Sequence, residues 1–212
     1  MSLKFINHIN EHSSWGLWEV TEEIGHFLVS NDLKLEEDSD YSSIGNHYKK
    51  LEWLSTRAIA KCLVEDRGMV YNGIRKDTYG KPHLNTLKGE ISVTHSFPYV
   101  AVIYHQNSPV GCDLEKPREK ILKIAKKFLD DNELMFSNQD VIKTTILWSI
   151  KESLYKLHGR KFVVFKDDLE VSPFKLEKEG IISAKIKLNN TIETVDLQYI
   201  CYDDFIITYS VR

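Results

Sequence analysis

Two short stretches carry residue types that can do chemistry together. In VGCDLE, residues 110–115, Asp113 and Glu115 are separated by one residue, and the alternation of a strand puts both carboxylates on one face. Side by side they repel each other unless a cation or protons hold them. A hard divalent ion such as Mg²⁺, usually bound by one or two carboxylates plus substrate phosphates, is a natural partner. In WSIKESLYK, residues 148–156, Glu152 and Lys156 stand four apart, so a helix brings them to one face. Each feature also has an ordinary explanation: two acids on a solvent-facing edge strand, and a surface Glu–Lys pair that stabilises a helix by only a few tenths of a kcal/mol. Glu152 as a third carboxylate beside Asp113 and Glu115 shifts the balance toward a metal and phosphate site.

Cationic groups in the first half of the chain point the same way. His95 lies in THS, 94–96, Lys81 in a Gly-Lys-Pro turn, and Lys49 and Arg57 in one helical stretch. Singly, a strand histidine or a loop lysine is usually a packed or solvated residue. Together they are few and dispersed, a set that suits phosphate groups better than a nucleic-acid backbone.

These residues need a scaffold. Leu51, Leu54, Ala58, Cys62 and Leu63 fall at spacings of three and four, the buried stripe of an amphipathic helix over 47–64; its other face is read as basic, with Lys49, Lys50, Arg57 and Lys61. WGLWEV at 15–20 leans toward a strand, Thr21 with Glu22 and Glu23 reads as a helix start, and EEDSDYSS at 36–43 reads as a polar loop. YGKPHL at 79–84 is turn-like, with Gly80 and Pro82 restricting the backbone. ISVTHS at 91–96 and YVAVIY at 99–104 read as strands joined by a tight turn at Phe97-Pro98, and 109–115 as a third strand. Helices are expected over 121–128 and 140–158, then strands near 181–187, 194–201 and 205–211. A long helix and several strands in each half predict an α+β chain with two related lobes.

Composition narrows the class. The chain has 212 residues, 42% hydrophobic and 28% charged, with a formal net charge of -3 and a pI near 6.2, which argues against a general nucleic-acid binder. No apolar run approaches the ~18 residues of a membrane helix, and the start lacks a signal-peptide pattern, so a cytoplasmic protein without a membrane partner is expected. Cys62, Cys112 and Cys201 lack C-x-x-C spacing and read as buried reduced thiols rather than a disulfide framework or zinc site.

YGKP (79–82), SVTHS (92–96), GCDLE (111–115), FLDDNEL (128–134) and WSIKESLYK (148–156), in this order, resemble the 4'-phosphopantetheinyl transferase superfamily, and more closely its Sfp-type, surfactin-synthetase-activating branch. The resemblance covers roughly residues 45 to 165. Cys112 replaces the usual Ile or Val of G-[IV]-D-x-E, and Thr94 stands where many relatives have Ser, keeping a hydroxyl.

The resemblance implies two pseudo-symmetric α/β lobes, 1–107 and 108–212, with the active site between them. It implies that the phosphopantetheine arm of coenzyme A moves to a serine of an apo acyl or peptidyl carrier protein with release of 3',5'-ADP, in a chain that works as a monomer. Asp113, Glu115 and Glu152 would hold Mg²⁺, or Mn²⁺ in its place. Glu152 would act as general base, directly or through water, and Lys156 would offset charge on the leaving group. Lys49, Arg57, Lys81, Thr94 and His95 would clamp coenzyme A phosphates, with Tyr79 and Gly80 near the adenine, Lys151 reaching a phosphate and Glu133 accessory to the site. Trp148 reads as a core anchor. A metal-dependent phosphoester hydrolase and a non-catalytic coenzyme A or carrier-binding module remain as alternatives.

Overall fold

The computed structural model describes residues 2–30, 39–159 and 162–210. In chain order the first half holds β1 (Leu3–His8), β2 (Ser13–Glu19), α1 (Ile24–Ser30), α2 (Ser39–Ser43), α3 (His47–Glu65), β3 (Ile74–Lys76), β4 (Pro82–Leu84), β5 (Glu90–Ser96) and β6 (Tyr99–His105). The second holds β7 (Cys112–Glu115), α4 (Lys120–Ile124), α5 (Asp131–Ser137), α6 (Val141–His158), α7 (Phe165–Asp168), β8 (Leu169–Val171), β9 (Glu179–Leu188), β10 (Thr191–Tyr202) and β11 (Phe205–Ser210). This is a mixed α+β architecture, as the sequence predicts.

The strands make two antiparallel sheets, ordered β1-β2-β6-β5-β4-β3 and β7-β11-β10-β9-β8. Apart from the extra edge strand β1, the orders are the same. In each sheet the strand before the long helix (β2, β7) pairs with the last strand of its set (β6, β11), and the remaining strands follow in reverse. One topology is thus used twice, once over residues 3–105 and once over 112–210.

Alternation explains how the sheets are covered. On β6, Val100, Val102 and Tyr104 enter a core with Leu54, Ala58, Ile59 and Leu63 of α3, while Tyr99, Ala101 and Ile103 face the other way. On β11, Ile206 joins a core with Ile146, Ile150 and Leu154 of α6, while Phe205, Ile207 and Tyr209 turn to the opposite face. Those opposite faces meet, with Cys112 and Leu114 of β7 between them. β6 and β11 are therefore buried on both sides, and each buried aliphatic side chain contributes about 1.5–3 kcal/mol. This explains why β6 reads as a continuous apolar run rather than an alternating one.

The long helices have explicit caps. Asn46 accepts a hydrogen bond from the Lys49 amide at the start of α3, and Asp140 accepts from the Lys143 amide at the start of α6, each pairing an amide the helix leaves unbonded. Gly159, at φ 94°, ends α6 in the left-handed region.

Several expectations need correction. Arg57 is not on a solvated basic face of α3: it is 8% exposed, its guanidinium stacked on the Trp53 ring. Residues 39–43, expected as loop, form α2, and 36–38 lie outside the described residues. The helix expected over 121–128 stops at Ile124 and tightens into a 3₁₀ turn. Cys112 alone of the three thiols is buried; Cys62 and Cys201 are partly exposed and all are unpaired. No described helix is long and apolar enough to cross a membrane.

Candidate active site

The site begins with a close approach. A Cβ on Gly111 would lie 1.9 Å from the Ser153 carbonyl oxygen and 2.9 Å from the Leu157 nitrogen, so α6 rests directly on the backbone leading into β7. Small residues on α6 complete the seat: the Ser149 and Ser153 hydroxyls lie 2.9 and 2.7 Å from the Thr208 hydroxyl on β11. Gly111→Ala is expected to lower stability by at least about 1–3 kcal/mol, the usual cost of overpacking, because the obstacles are backbone atoms that cannot rotate away. Thermal denaturation checks this, and an unchanged midpoint would mean that α6 does not sit on this glycine.

With α6 so placed, Lys156 reaches Asp113. Its ammonium donates to Asp113 Oδ1 at 2.7 Å and to the Cys112 carbonyl at 3.0 Å. The Thr94 hydroxyl of β5 donates to the same Oδ1 at 3.1 Å and accepts from the Leu114 amide, so it joins the two sheets. Thr94 is only 5% exposed, and the structure spends its hydroxyl on Asp113 rather than presenting it to a phosphate. Burial works to lower the Lys156 pKa, but Asp113, joined by Cys112 and Glu152, opposes it and the net shift is upward. Lys156 therefore stays cationic.

Burial first, and Asp113 second, push the Glu115 carboxyl above its usual range, against the Trp148 indole and Lys156. The indole N–H donates to Glu115 Oε1 at 3.0 Å, while the Trp148 ring packs on Phe128 and Phe165. Trp148 is a core anchor, as expected, and also fixes an acid.

Two observations bear on a metal. Asp113 Oδ2 is buried with no hydrogen-bond partner, and Glu115 feels its neighbour's charge; such a pair fits a hard cation that also takes substrate oxygens. Glu152, half-buried on α6, does not close a cage with them: among the described residues no three His, Cys, Asp or Glu side chains gather at metal-binding spacing.

Lys151 and Glu133 take places the sequence did not suggest. Lys151 has no exposed surface, and its ammonium lies within 2.7–2.9 Å of Glu133 Oε2 and the carbonyls of Phe128, Phe165 and Leu169. Burial lowers its pKa, with Glu133 opposing. Glu133, 3% exposed, also accepts from the Val171 amide through Oε1 and closes the capping box of α5. Lys151 is thus turned away from any phosphate, and Glu133 is an internal brace rather than an accessory acid at the site.

Across β5 from Asp113, a cavity of about 370 Å³ is lined by Lys49, Glu52, Trp53, Thr56 and Arg57 of α3, Lys76 of β3, Gly80, Pro82, Val93 and His95. Four expected cofactor residues, Lys49, Arg57, Gly80 and His95, therefore converge. Tyr79 is 47% exposed beside them. Lys81 does not line the cavity; it pairs with Glu90 at 2.7 Å. His95 faces Glu52 Oε2 through Nδ1 at 3.4 Å; burial lowers its pKa against Glu52, with Lys49 and Lys156 adding to the fall. The cavity and the acidic site are close together because Thr94, which bonds Asp113, and His95, which lines the cavity, are successive residues of β5. Lys76 and Glu52 escaped the sequence reading. Lys76 sits on a three-residue strand too short to show a pattern, whereas the Lys49–Glu52 spacing of three was visible.

Residues 109–210, β7 through the end of β11, match the family model of the 4'-phosphopantetheinyl transferase superfamily. The 4'-phosphopantetheinyl transferase gsp of Aneurinibacillus migulanus is 31% identical over 151 residues, covering 67% of this chain and 62% of the relative. The 4'-phosphopantetheinyl transferase Sfp of Bacillus subtilis (strain 168) is 31% identical over 139 residues, covering 63% and 55%. The chain spans less than two thirds of the length of either relative.

Proposed function

As this chain belongs to the 4'-phosphopantetheinyl transferase superfamily, we propose that it transfers the phosphopantetheine arm of coenzyme A to a serine of an apo carrier protein. The observation that carries the reading is the adjacency of a cation-lined cavity to paired carboxylates, joined by the Thr94–Asp113 hydrogen bond between the two sheets. Lobes over 1–107 and 108–212 would each supply half: phosphate donors from the first, acids from the second.

In this reading Lys49, Arg57, His95 and Lys76 bind the phosphates, and the Trp53 ring walls the cavity beside them. Charge-assisted hydrogen bonds of this kind contribute about 1.5–3 kcal/mol each. Asp113 and Glu115 would hold Mg²⁺ or Mn²⁺, which when bound neutralises pyrophosphate charge; Glu152, which does not gather with them at metal-binding spacing, is left to act as the base. Glu152 takes the proton of the carrier serine as its oxygen forms the new bond to phosphorus and the pyrophosphate bridge breaks, releasing 3',5'-ADP. Lys156 orients Asp113 and keeps a positive charge beside the departing group. In this reading the protein acts as a monomer in the cytoplasm.

The test is to incubate the protein with coenzyme A, Mg²⁺ and a panel of apo carrier proteins, then weigh the carriers. A gain of about 340 Da on a serine is the expected result, the mass of the arm carried by this group transfer. Cleavage of coenzyme A without a carrier would instead make the protein a hydrolase, and binding without turnover would make it a non-catalytic module; either outcome sinks the proposal.

A further inference from the structure

Glu52 is out of place in a phosphate cavity. It projects from α3 into the space lined by Lys49, Lys76, Arg57 and His95, and only 11% of its side chain is exposed. Its Oε2 lies 3.0 Å from Lys49 Nζ and 3.4 Å from His95 Nδ1, yet makes no properly directed hydrogen bond. A buried carboxylate is costly unless paired, and its two neighbours, the Lys49 ammonium and the His95 imidazole, are side chains that the reading above gives to the ligand. Lys49 is otherwise a solvated lysine, its side chain 61% exposed, so holding its ammonium inward on Glu52 spends rotamer freedom. One set of donors thus faces two anions, one belonging to the protein and one arriving with the ligand.

We propose that the Glu52 carboxylate is a built-in occupant of the cavity, which holds Lys49 and His95 while no ligand is present and must yield them when a phosphate enters. It gathers the donors in advance and lowers the affinity for the phosphate that replaces it. By microscopic reversibility the same carboxylate helps expel a phosphate-bearing product, by recapturing Lys49 and His95 as the phosphate leaves. The proposal rests on the reading of this cavity as the coenzyme A phosphate site.

The experiment measures coenzyme A binding by calorimetry for the full chain and its Glu52→Gln, His95→Ala and Glu52→Gln/Lys49→Gln variants, with melting curves to show that each is folded. Glu52→Gln keeps the shape of the side chain and removes its charge. It is expected to bind coenzyme A about tenfold more tightly, the change that 1.4 kcal/mol produces, and most of the gain should vanish when Lys49 is also replaced. If Glu52→Gln binds equally or more weakly while His95→Ala weakens binding, the occupant role is overturned and the cavity stands as the phosphate site. If neither change alters binding, or the unaltered chain does not bind coenzyme A, the occupant role and the placement of the phosphates fall together. Should Glu52→Gln melt early, Glu52→Asp serves instead: the shorter acid reaches Lys49 and His95 less well, and tighter binding is again expected.

Discussion

Glu152→Gln is expected to reduce phosphopantetheine transfer by at least about 10²–10⁴-fold, the usual contribution of a positioned general base, while coenzyme A still binds. The exchange is nearly isosteric and removes a proton acceptor and a negative charge together. Glu152 is half-buried, between the buried Lys151 and Ser153, and glutamine keeps its shape, so the melting temperature should hold. The donors that line the cavity lie on α3, β3 and β5 and are not touched. Lys156 should remain cationic, because Asp113, ahead of Glu152, keeps its pKa high. The decisive comparison is the single-turnover rate against coenzyme A affinity. A variant that transfers at the normal rate would remove Glu152 from the chemistry, and one that loses rate and coenzyme A binding in proportion would make it a binding residue.

The helices and most strands were legible because their signals are local. The stripe Leu51, Leu54, Ala58 marks α3, and β5 and β6 are β-branched runs with a turn between them. Motif spacing also found Asp113, Glu115, Glu152 and Lys156, since one-residue and four-residue steps fix faces without tertiary information. Partners across elements were not legible. Nothing near Lys151 in sequence says that its ammonium will meet Glu133 and three backbone carbonyls, because those acceptors come from separate elements brought together only by packing. Lys81 was misjudged for the same reason. A lysine in a Gly-Lys-Pro turn looks available, and Glu90, which takes it, is placed by the pairing of β4 with β5. Arg57 reads as a solvated helix arginine, and Trp53, four residues earlier, turns it into a stacked, buried one. The edge strand β1 escaped because its burial is incomplete, so no face of it shows clean alternation.

The second large effect concerns stability. Lys151→Met is expected to cost about 3–5 kcal/mol, because it leaves the Glu133 carboxylate buried without its counter-charge. Glu133→Gln should cost a comparable amount, since it strands the Lys151 ammonium. Replacing both by apolar residues, which in other proteins has restored stability, should restore only part of it here. The pair also satisfies backbone groups: Glu133 accepts from the amides of Val171 and Asp130, and Lys151 caps the carbonyls of Phe128, Phe165 and Leu169. Each group orphaned in the interior costs about 1–3 kcal/mol. Urea denaturation of the two single variants and the double variant measures the coupling directly. If the double variant were as stable as the unaltered chain, the carbonyls and amides would be finding water, and the pair would be no more than a neutralised defect. If it stays well below, Lys151 and Glu133 form a brace that ties α5, the entry to β8 and the loop ending at Phe128 to α6. Glu152 follows Lys151 directly and Lys156 lies one turn further on, so loosening that brace would let both move relative to Asp113. Among variants that remain folded, transfer rate should then fall faster than coenzyme A affinity, because the cavity is built on the other sheet and on α3.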